Sequence, residues 1–392
     1  MQLPARHEFR VTDRTVDVEV RPGFDPAIDE AAARASPTHA FLRRAWFEPA
    51  GAAGSTTLVA RRSGGSILAT LPLAPMGPTM LGARMVPGSY WPFRAPPVAA
   101  DADEDEIGAF LGDAAVDRTL GQVWRMGPYH ADEAGTGLLE QAARNGGWTV
   151  LKRRLGTSFV MDIPALAAQG RWPKRTLARK MRSMERQLSA EGPLRFHFVK
   201  GARWDAAALD ALAAIETNSW VGTRTDGSGA KFLKPKQRDY WEGVLRDPVL
   251  ADMLSAVILF VGDTPAAFSF DLNAGRTQYG LAGSYDERFA RWRVGRLVSW
   301  RHLEESAARG IELVDWGSGD SGYKREFGAV PGSEIVDCLF VRNRSVASLL
   351  RPQWLRKSAE NDDAEASPLM TRNQRVMFAA VVTAAAAASF SE

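Results

Sequence analysis

The sequence predicts an α+β protein built as two tandem halves, each a mixed, mostly antiparallel sheet flanked by helices. Three observations predict it. The same order of elements occurs twice along the chain. The length of 392 residues exceeds what one compact core takes comfortably. The composition, 45% hydrophobic and 24% charged, belongs to a chain that buries cores.

In the first half, Thr56 to Arg62 reads as a strand, Ser63-Gly64-Gly65 as a turn, and Ile67 to Leu73 as a second strand. A third strand is expected near Met80 to Val86. Helical spacing follows from about Asp105 to Leu120, then a strand from Gln122 to Met126. A helix from about Ala131 to Asn145 stops at Gly146-Gly147. In the second half, Leu254 to Val261 is an apolar strand closed by Gly262-Asp263-Thr264-Pro265. Ala266 to Asn273 and Arg276 to Ser284 are the next strands, turning at Ala274-Gly275. A loop with Gly295 opens a helix from Arg296 to Arg309, and Ile311 to Trp316 is the next strand.

A different segment lies between the halves. Leu177, Met181, Met184 and Leu188 form an apolar helical stripe, and Arg175, Arg179, Arg182 and Arg186 keep the same spacing on another face. The expected division is therefore 1–168 for an N-terminal domain, 169–190 for a basic linking helix, 191–356 for a C-terminal domain, and 357–392 for a linker and alanine-rich tail.

Charge is nearly balanced, 49 basic against 46 acidic residues, which gives no general case for nucleic acid and argues against DNA. The single cysteine, Cys338, excludes an internal disulfide framework and fits a reducing compartment. Met1 to Arg14 shows no apolar core of a signal peptide, so a cytoplasmic location is expected. The tail from Val376 to Phe390 is shorter than the ~20 apolar residues of a membrane span. It reads as a loose helix, with a weak membrane or partner contact left open. The five histidines show no ligand spacing, so no metal is expected.

The chemistry concentrates after Ser284. The stretch Arg291-Trp292-Arg293-Val294-Gly295-Arg296-Leu297 opens a helix, and a helix start with a glycine and several arginines suits a phosphate. Three strands, a glycine loop opening a helix, and a further strand give the core order of the GNAT fold. After the next strand comes Asp315-Trp316-Gly317-Ser318-Gly319-Asp320-Ser321-Gly322-Tyr323-Lys324. With Glu216-Thr217-Asn218-Ser219-Trp220-Val221-Gly222, Tyr285-Asp286-Glu287 and the basic helix ending in Arg186-Gln187-Leu188, this stretch resembles the CelD-like family. Those are GNAT-superfamily acyltransferases of cellulose and exopolysaccharide biosynthesis, related to Fem-type peptidoglycan aminoacyltransferases. The resemblance is good over about Lys174 to Arg342 and looser before it. Trp292 stands where the GNAT loop usually has Gln or Arg, and Leu297 replaces its second small residue. Val221 and Val294 replace the family's Lys and Pro.

The resemblance implies acyl-coenzyme A, acetyl-coenzyme A included, as co-substrate, held by Arg293, Gly295, Arg296 and Leu297. It places Tyr323 where such enzymes keep the acid that protonates the leaving thiolate. Asp320 and Asp315 are candidate bases or orienting carboxylates. Equally, Asp320 reads as a helix cap and Tyr323 as a packed ring. Lys324 is a candidate for a phosphate or sugar acid. Glu216 and Trp220 are candidates for the acceptor cleft, although a buried core indole fits Trp220 as well. Two decoys share the glycine stretch. Gly317, Gly319 and Gly322 with Asp337 spell a dinucleotide fingerprint, but Asp320 would face the pyrophosphate. Gly319-Asp320-Ser321-Gly322 resembles a serine-protease segment without its framework.

The first half carries none of this. Its matching region, Pro87 to Glu106, is proline-rich and then acidic, which repels phosphate, and the N-terminal half reads as a degenerate copy that builds a wall of the cleft. The expected function is acyl transfer to an amine or hydroxyl of a sugar, sugar nucleotide or small molecule. The alternatives are a Fem-like transferase using aminoacyl-tRNA, which the basic helix allows but does not favour, and a non-catalytic scaffold.

Overall fold

The computed structural model describes residues 16–77, 82–89, 91–227, 229–319 and 322–359. The strands are β1 (Val16–Pro22), β2 (Thr56–Arg62), β3 (Ile67–Pro75), β4 (Arg84–Met85), β5 (Val123–His130) and β6 (Thr149–Asp162) in the first half. In the second they are β7 (Leu194–Lys200), β8 (Leu254–Val261), β9 (Thr264–Ala274), β10 (Thr277–Tyr285), β11 (Leu313–Ser318) and β12 (Val330–Val341). All join one sheet, in the order β1-β2-β3-β4-β5-β12-β6-β11-β10-β9-β8-β7. The two expected sheets are thus continuous.

That order has an internal symmetry. Adding six to each first-half number and subtracting six from each second-half number gives the same list reversed. Each half is an antiparallel meander followed by a parallel pair, β4 with β5 and β10 with β11. The last strand of each half then crosses over. β6 pairs with β11, β12 pairs with β5, and β6 and β12 pair with each other at the centre.

Alternation along the strands makes two cores. On β8, Ala256 and Ile258 join a cluster with Phe41, Trp46, Trp241 and Phe270 on one face. Val257, Leu259 and Val261 join Met181, Leu297 and Trp300 on the other. The basic helix spans Arg175–Leu188 and buries Leu177, Met181, Met184 and Leu188, the stripe its spacing predicts. The expected helix of about Asp105 to Leu120 is two, Glu104–Gly112 and Ala114–Leu120, because Asp113 ends one and caps the next through its bond from the Ala115 amide. The expected third strand of the first half shrinks to Arg84–Met85, and residues 78–81 lie outside the described residues. The C-terminal helix runs Arg344–Ala359, into the stretch expected as linker. Among the described residues no helix is long and apolar enough to cross a membrane.

The three central strands carry a buried ionic clamp. Asp337 of β12 accepts from Arg125 of β5 at 3.0 and 2.7 Å and from Arg153 of β6 at 3.1 and 2.5 Å. Its side chain is fully buried, and Trp354 of the C-terminal helix stacks 4.0 Å from the Arg153 guanidinium. Asp337, which sequence spacing offers as a ribose ligand, is therefore a strut. Burial works to raise its carboxyl, but the two guanidiniums outweigh that and hold it below the ordinary carboxylate range.

Asp337→Asn leaves two buried guanidiniums without their counter-charge, so it is expected to cost about 3–5 kcal/mol of stability in chemical denaturation. A carboxyl depressed in the folded state contributes fully above its unfolded value and loses that contribution as pH falls through the folded value. The gap between wild type and variant should therefore narrow in acid, and a pH-independent gap would contradict the assignment.

Candidate active site

The parallel pair of the second half parts early. β10 and β11 are bonded at Thr277↔Leu313, Gln278↔Val314 and Tyr279↔Asp315. Directly beyond, β10 bulges between Gly280 and Ala282, while its pairing with β9 continues to Tyr285↔Ala267. A bulge bends its strand and redirects the next side chains. The two strands diverge into a wedge.

The first half has the same wedge and fills it with its own chain. β4 and β5 pair only at Arg84↔Trp124 and Met85↔Arg125. Beyond that the buried run Trp91–Ala99 enters. Arg94 exchanges backbone bonds with Gly127 and Pro128 on the β5 side, and Pro97 and Ala99 bond Thr70 and Leu68 on β3. The proline-rich stretch is thus a plug.

At the mouth of the open wedge a helix begins at Val294 and runs to Ala308. Its N-cap, Arg293, sits in the left-handed region at φ 54°, and no side chain caps the helix. Its first amides and positive dipole end are available to an anion. Gly295 lies in the first turn, where a Cβ would come 3.1 Å from the Tyr285 ring. Arg296 and Lys180 of the basic helix both bond Glu326, each at 2.5 Å. Burial acts to raise the Glu326 carboxyl, but the Lys180 hydrogen bond and the Arg296, Lys180 and Arg293 charges hold it low. Leu297, expected at the anion, has its side chain in the core, so only its backbone lies at the helix start.

Asp315, a candidate base, is buried on the wedge floor. One oxygen accepts from the Gly317 amide at 2.8 Å, and the other lies 3.0 Å from Nε2 of His130. His130 ends β5, three strands from β11 in the sheet. The contact therefore joins side chains of the two halves across two intervening strands. Trp91 and Phe93 of the plug pack edge-on against His130, and Tyr279 packs on both. Burial pushes the Tyr279 hydroxyl up, and the Asp315 and Glu133 charges add to that. Sequence spacing misses His130, because a lone histidine carries no signal for a partner in the far half.

Tyr323 opens the short helix Tyr323–Phe327 and packs on Trp316 and Phe327, half-buried at the wedge. Asp320 lies outside the described residues. Two candidates are corrected. Lys324 is buried and donates to the carbonyls of Trp316, Ser318 and Gly319 at 3.1, 3.0 and 2.6 Å, so it holds the glycine loop in shape. Glu216 is buried and accepts from the amides of Lys231, Phe232 and Leu233 at 2.8, 2.7 and 2.9 Å, which pins that loop. Burial raises its carboxyl against the pull of those amides. Trp220 stays exposed, at the start of a helix whose Arg224 pairs with Glu287 of the loop before Gly295. Among the described residues no group of three or more His, Cys, Asp or Glu is arranged to hold a metal.

Residues 175–325 match the acetyltransferase (GNAT) domain family. That match spans the basic helix, the wedge and the glycine loop. No curated protein matches the sequence. Solved structures share the fold along nearly the whole chain. FemX aligns with a TM-score of 0.56 at 12% identity, covering 85% of this chain and 100% of its own. The L-PGS of Bacillus licheniformis aligns at 0.51 and 13% identity, covering 87% and 99%. A tandem GNAT protein from the clavulanic acid biosynthesis pathway aligns at 0.46 and 12% identity, covering 83% and 99%. The CelD-like resemblance is not among these matches.

If the GNAT-domain helix start receives phosphate, Gly295→Asp places a carboxylate at an anion site and is expected to abolish coenzyme A binding in calorimetry. Gly295→Ala, which asks the Tyr285 ring to shift by only a few tenths of an ångström, should keep most of it. Equal affinities for the folded Asp variant and wild type would refute the assignment.

Proposed function

We propose that the chain is an acyltransferase that moves an acyl group, acetyl in the simplest case, from acyl-coenzyme A to an amine or hydroxyl. The observation that carries this is the open wedge between β10 and β11 leading to an uncapped helix start, against the plugged wedge of the first half. Acyl-coenzyme A supplies a thioester and a phosphate-rich handle. The amides at Val294 and Gly295, with the Arg293 charge, suit the phosphates. The β10 edge beyond Gly280 suits an extended chain.

In this reading His130 takes the proton from the acceptor, and Asp315 orients the ring and stabilises its charged form. Tyr323 gives its proton to the departing sulfur. Lys324 and the Asp315 oxygen bonded to Gly317 hold the loop that carries Tyr323. Trp220, exposed beside the loop before Gly295, suits a sugar face, so a sugar or sugar nucleotide is the acceptor class we favour. A cytoplasmic place in envelope polysaccharide synthesis agrees with the lone buried cysteine. Residues 191–356 are read as the catalytic unit, 169–190 as its basic flank and 1–168 as the copy that completes the cleft.

A second reading, a Fem-like transfer from aminoacyl-tRNA, has one specific observation behind it. Arg175, Arg179, Arg182 and Arg186 are all exposed, and the described residues show no ion-pair partner for any of them, whereas nearby Arg291, Arg296 and Arg301 are paired. Such a row suits a polyanion. We favour the coenzyme A reading because no aromatic side chains interleave these arginines to stack bases.

Two measurements test this. Tyr323→Phe is expected to lower turnover by ~10²-fold or more with donor affinity nearly unchanged. An equal loss of stability would instead assign Tyr323 to packing. Binding of bulk tRNA across a salt series should be weak and shallow in slope. Tight binding with a log–log slope of about −0.7 to −0.9 per phosphate contact, lost when the four arginines become alanine, would overturn the coenzyme A reading.

A further inference from the structure

The wedge between β10 and β11 has an apex, and the first half of the chain reaches into it. Tyr279↔Asp315 is the last bonded pair. Gly280 follows directly on β10, and Gly317 lies just beyond on β11. The Trp91 indole touches both. Its Nε1 donates to the Gly280 carbonyl at 2.9 Å, and its ring lies 3.2 Å from the position a Cβ on Gly317 would take. Gly317 is at φ +68°, a conformation and a space that both favour glycine. Gly280 is equally confined, with a Cβ position 3.0 Å from Trp316. Gly317 thus admits the Trp91 ring, and Gly280 the Trp316 side chain, where the strands part.

Trp91 is well held there. It is buried, its ring stands 5.5 Å from His130 and 6.4 Å from Tyr279, and it continues into the plug that fills the wedge of the first half. The plug therefore has a second effect beyond closing its own wedge: its leading residue closes the narrow end of the open one.

We propose that Trp91 sets the length of the acyl group the site accepts, and that the substrate class is short-chain acyl thioesters, acetyl to propionyl in size. This rests on the coenzyme A reading above. A group lying along the β10 edge toward the apex meets the indole face, and each further methylene must displace a ring fixed by a hydrogen bond and by two aromatic neighbours. Where one methylene in a fixed pocket already discriminates ~10-fold or more, four extra methylenes are excluded. The first half thereby supplies a specificity element to the second, which gives the degenerate copy a direct part in substrate choice.

The test compares acetyl-coenzyme A and hexanoyl-coenzyme A by calorimetry on the full chain. Wild type is expected to prefer acetyl by ~10-fold or more. Trp91→Ala, which removes the ring, should erase or invert that preference while affinity for coenzyme A itself stays within about threefold, a free-energy change well below one tenfold step. Trp91→Phe keeps an aromatic ring in the core, loses the bond to Gly280, and should give an intermediate preference. It serves if the alanine variant does not fold. An unchanged acetyl-to-hexanoyl ratio in a folded Trp91 variant that still binds coenzyme A overturns the proposal alone. Failure of wild type to bind any of the three ligands overturns the donor reading and the proposal with it.

Discussion

The sheet depends on one buried carboxylate. Asp337 stands between Arg125 and Arg153, and these three residues lie on the three strands where the halves exchange partners. Backbone pairing alone would let adjacent strands slip by a residue. A fixed charge between two guanidiniums does not, because any slip separates buried ions that have no water to replace their partners. The register of β5, β12 and β6 is therefore specified at its middle. That register also fixes where His130, at the end of β5, lies relative to Asp315 on β11.

That meeting makes the two halves one functional object. Each half has a parallel pair that parts after two or three residues. In the first half the chain fills the gap with Arg94–Ala99, satisfying the strand edges at the expense of any ligand. In the second half the gap remains as a wedge with a helix start at its mouth, and the side chains on its floor come from both halves. The filled wedge of the first half places its own residues around the open wedge of the second. Trp91, Phe93 and His130 are those residues.

Much of this was legible from local pattern. β8 appears with its predicted bounds because its run is apolar throughout and ends on a glycine turn. The basic helix shows its stripe because 3.6-residue spacing is a local property. The helix start at Gly295 was legible for the same reason. What stayed hidden is non-local. Lys152, Arg153 and Arg154 interrupt the pattern of β6, and nothing near them in sequence reveals that Arg153 is neutralised by Asp337 from the far end of the chain. The same holds for His130 and Asp315. Lys324 and Glu216 misled in the opposite direction, since a charged residue in a motif suggests a ligand, while here each is used up on backbone groups of a nearby loop.

The account reduces to a single open wedge per chain, built by both halves and served by the helix that begins at Val294. The most direct measurement is the stoichiometry of coenzyme A binding to the full chain by calorimetry. One site per chain is the predicted result, with the plugged first half silent. Two sites per chain would show that Arg94–Ala99 does not close its wedge. No binding at millimolar ligand would show that the helix start at Val294 is not a donor site.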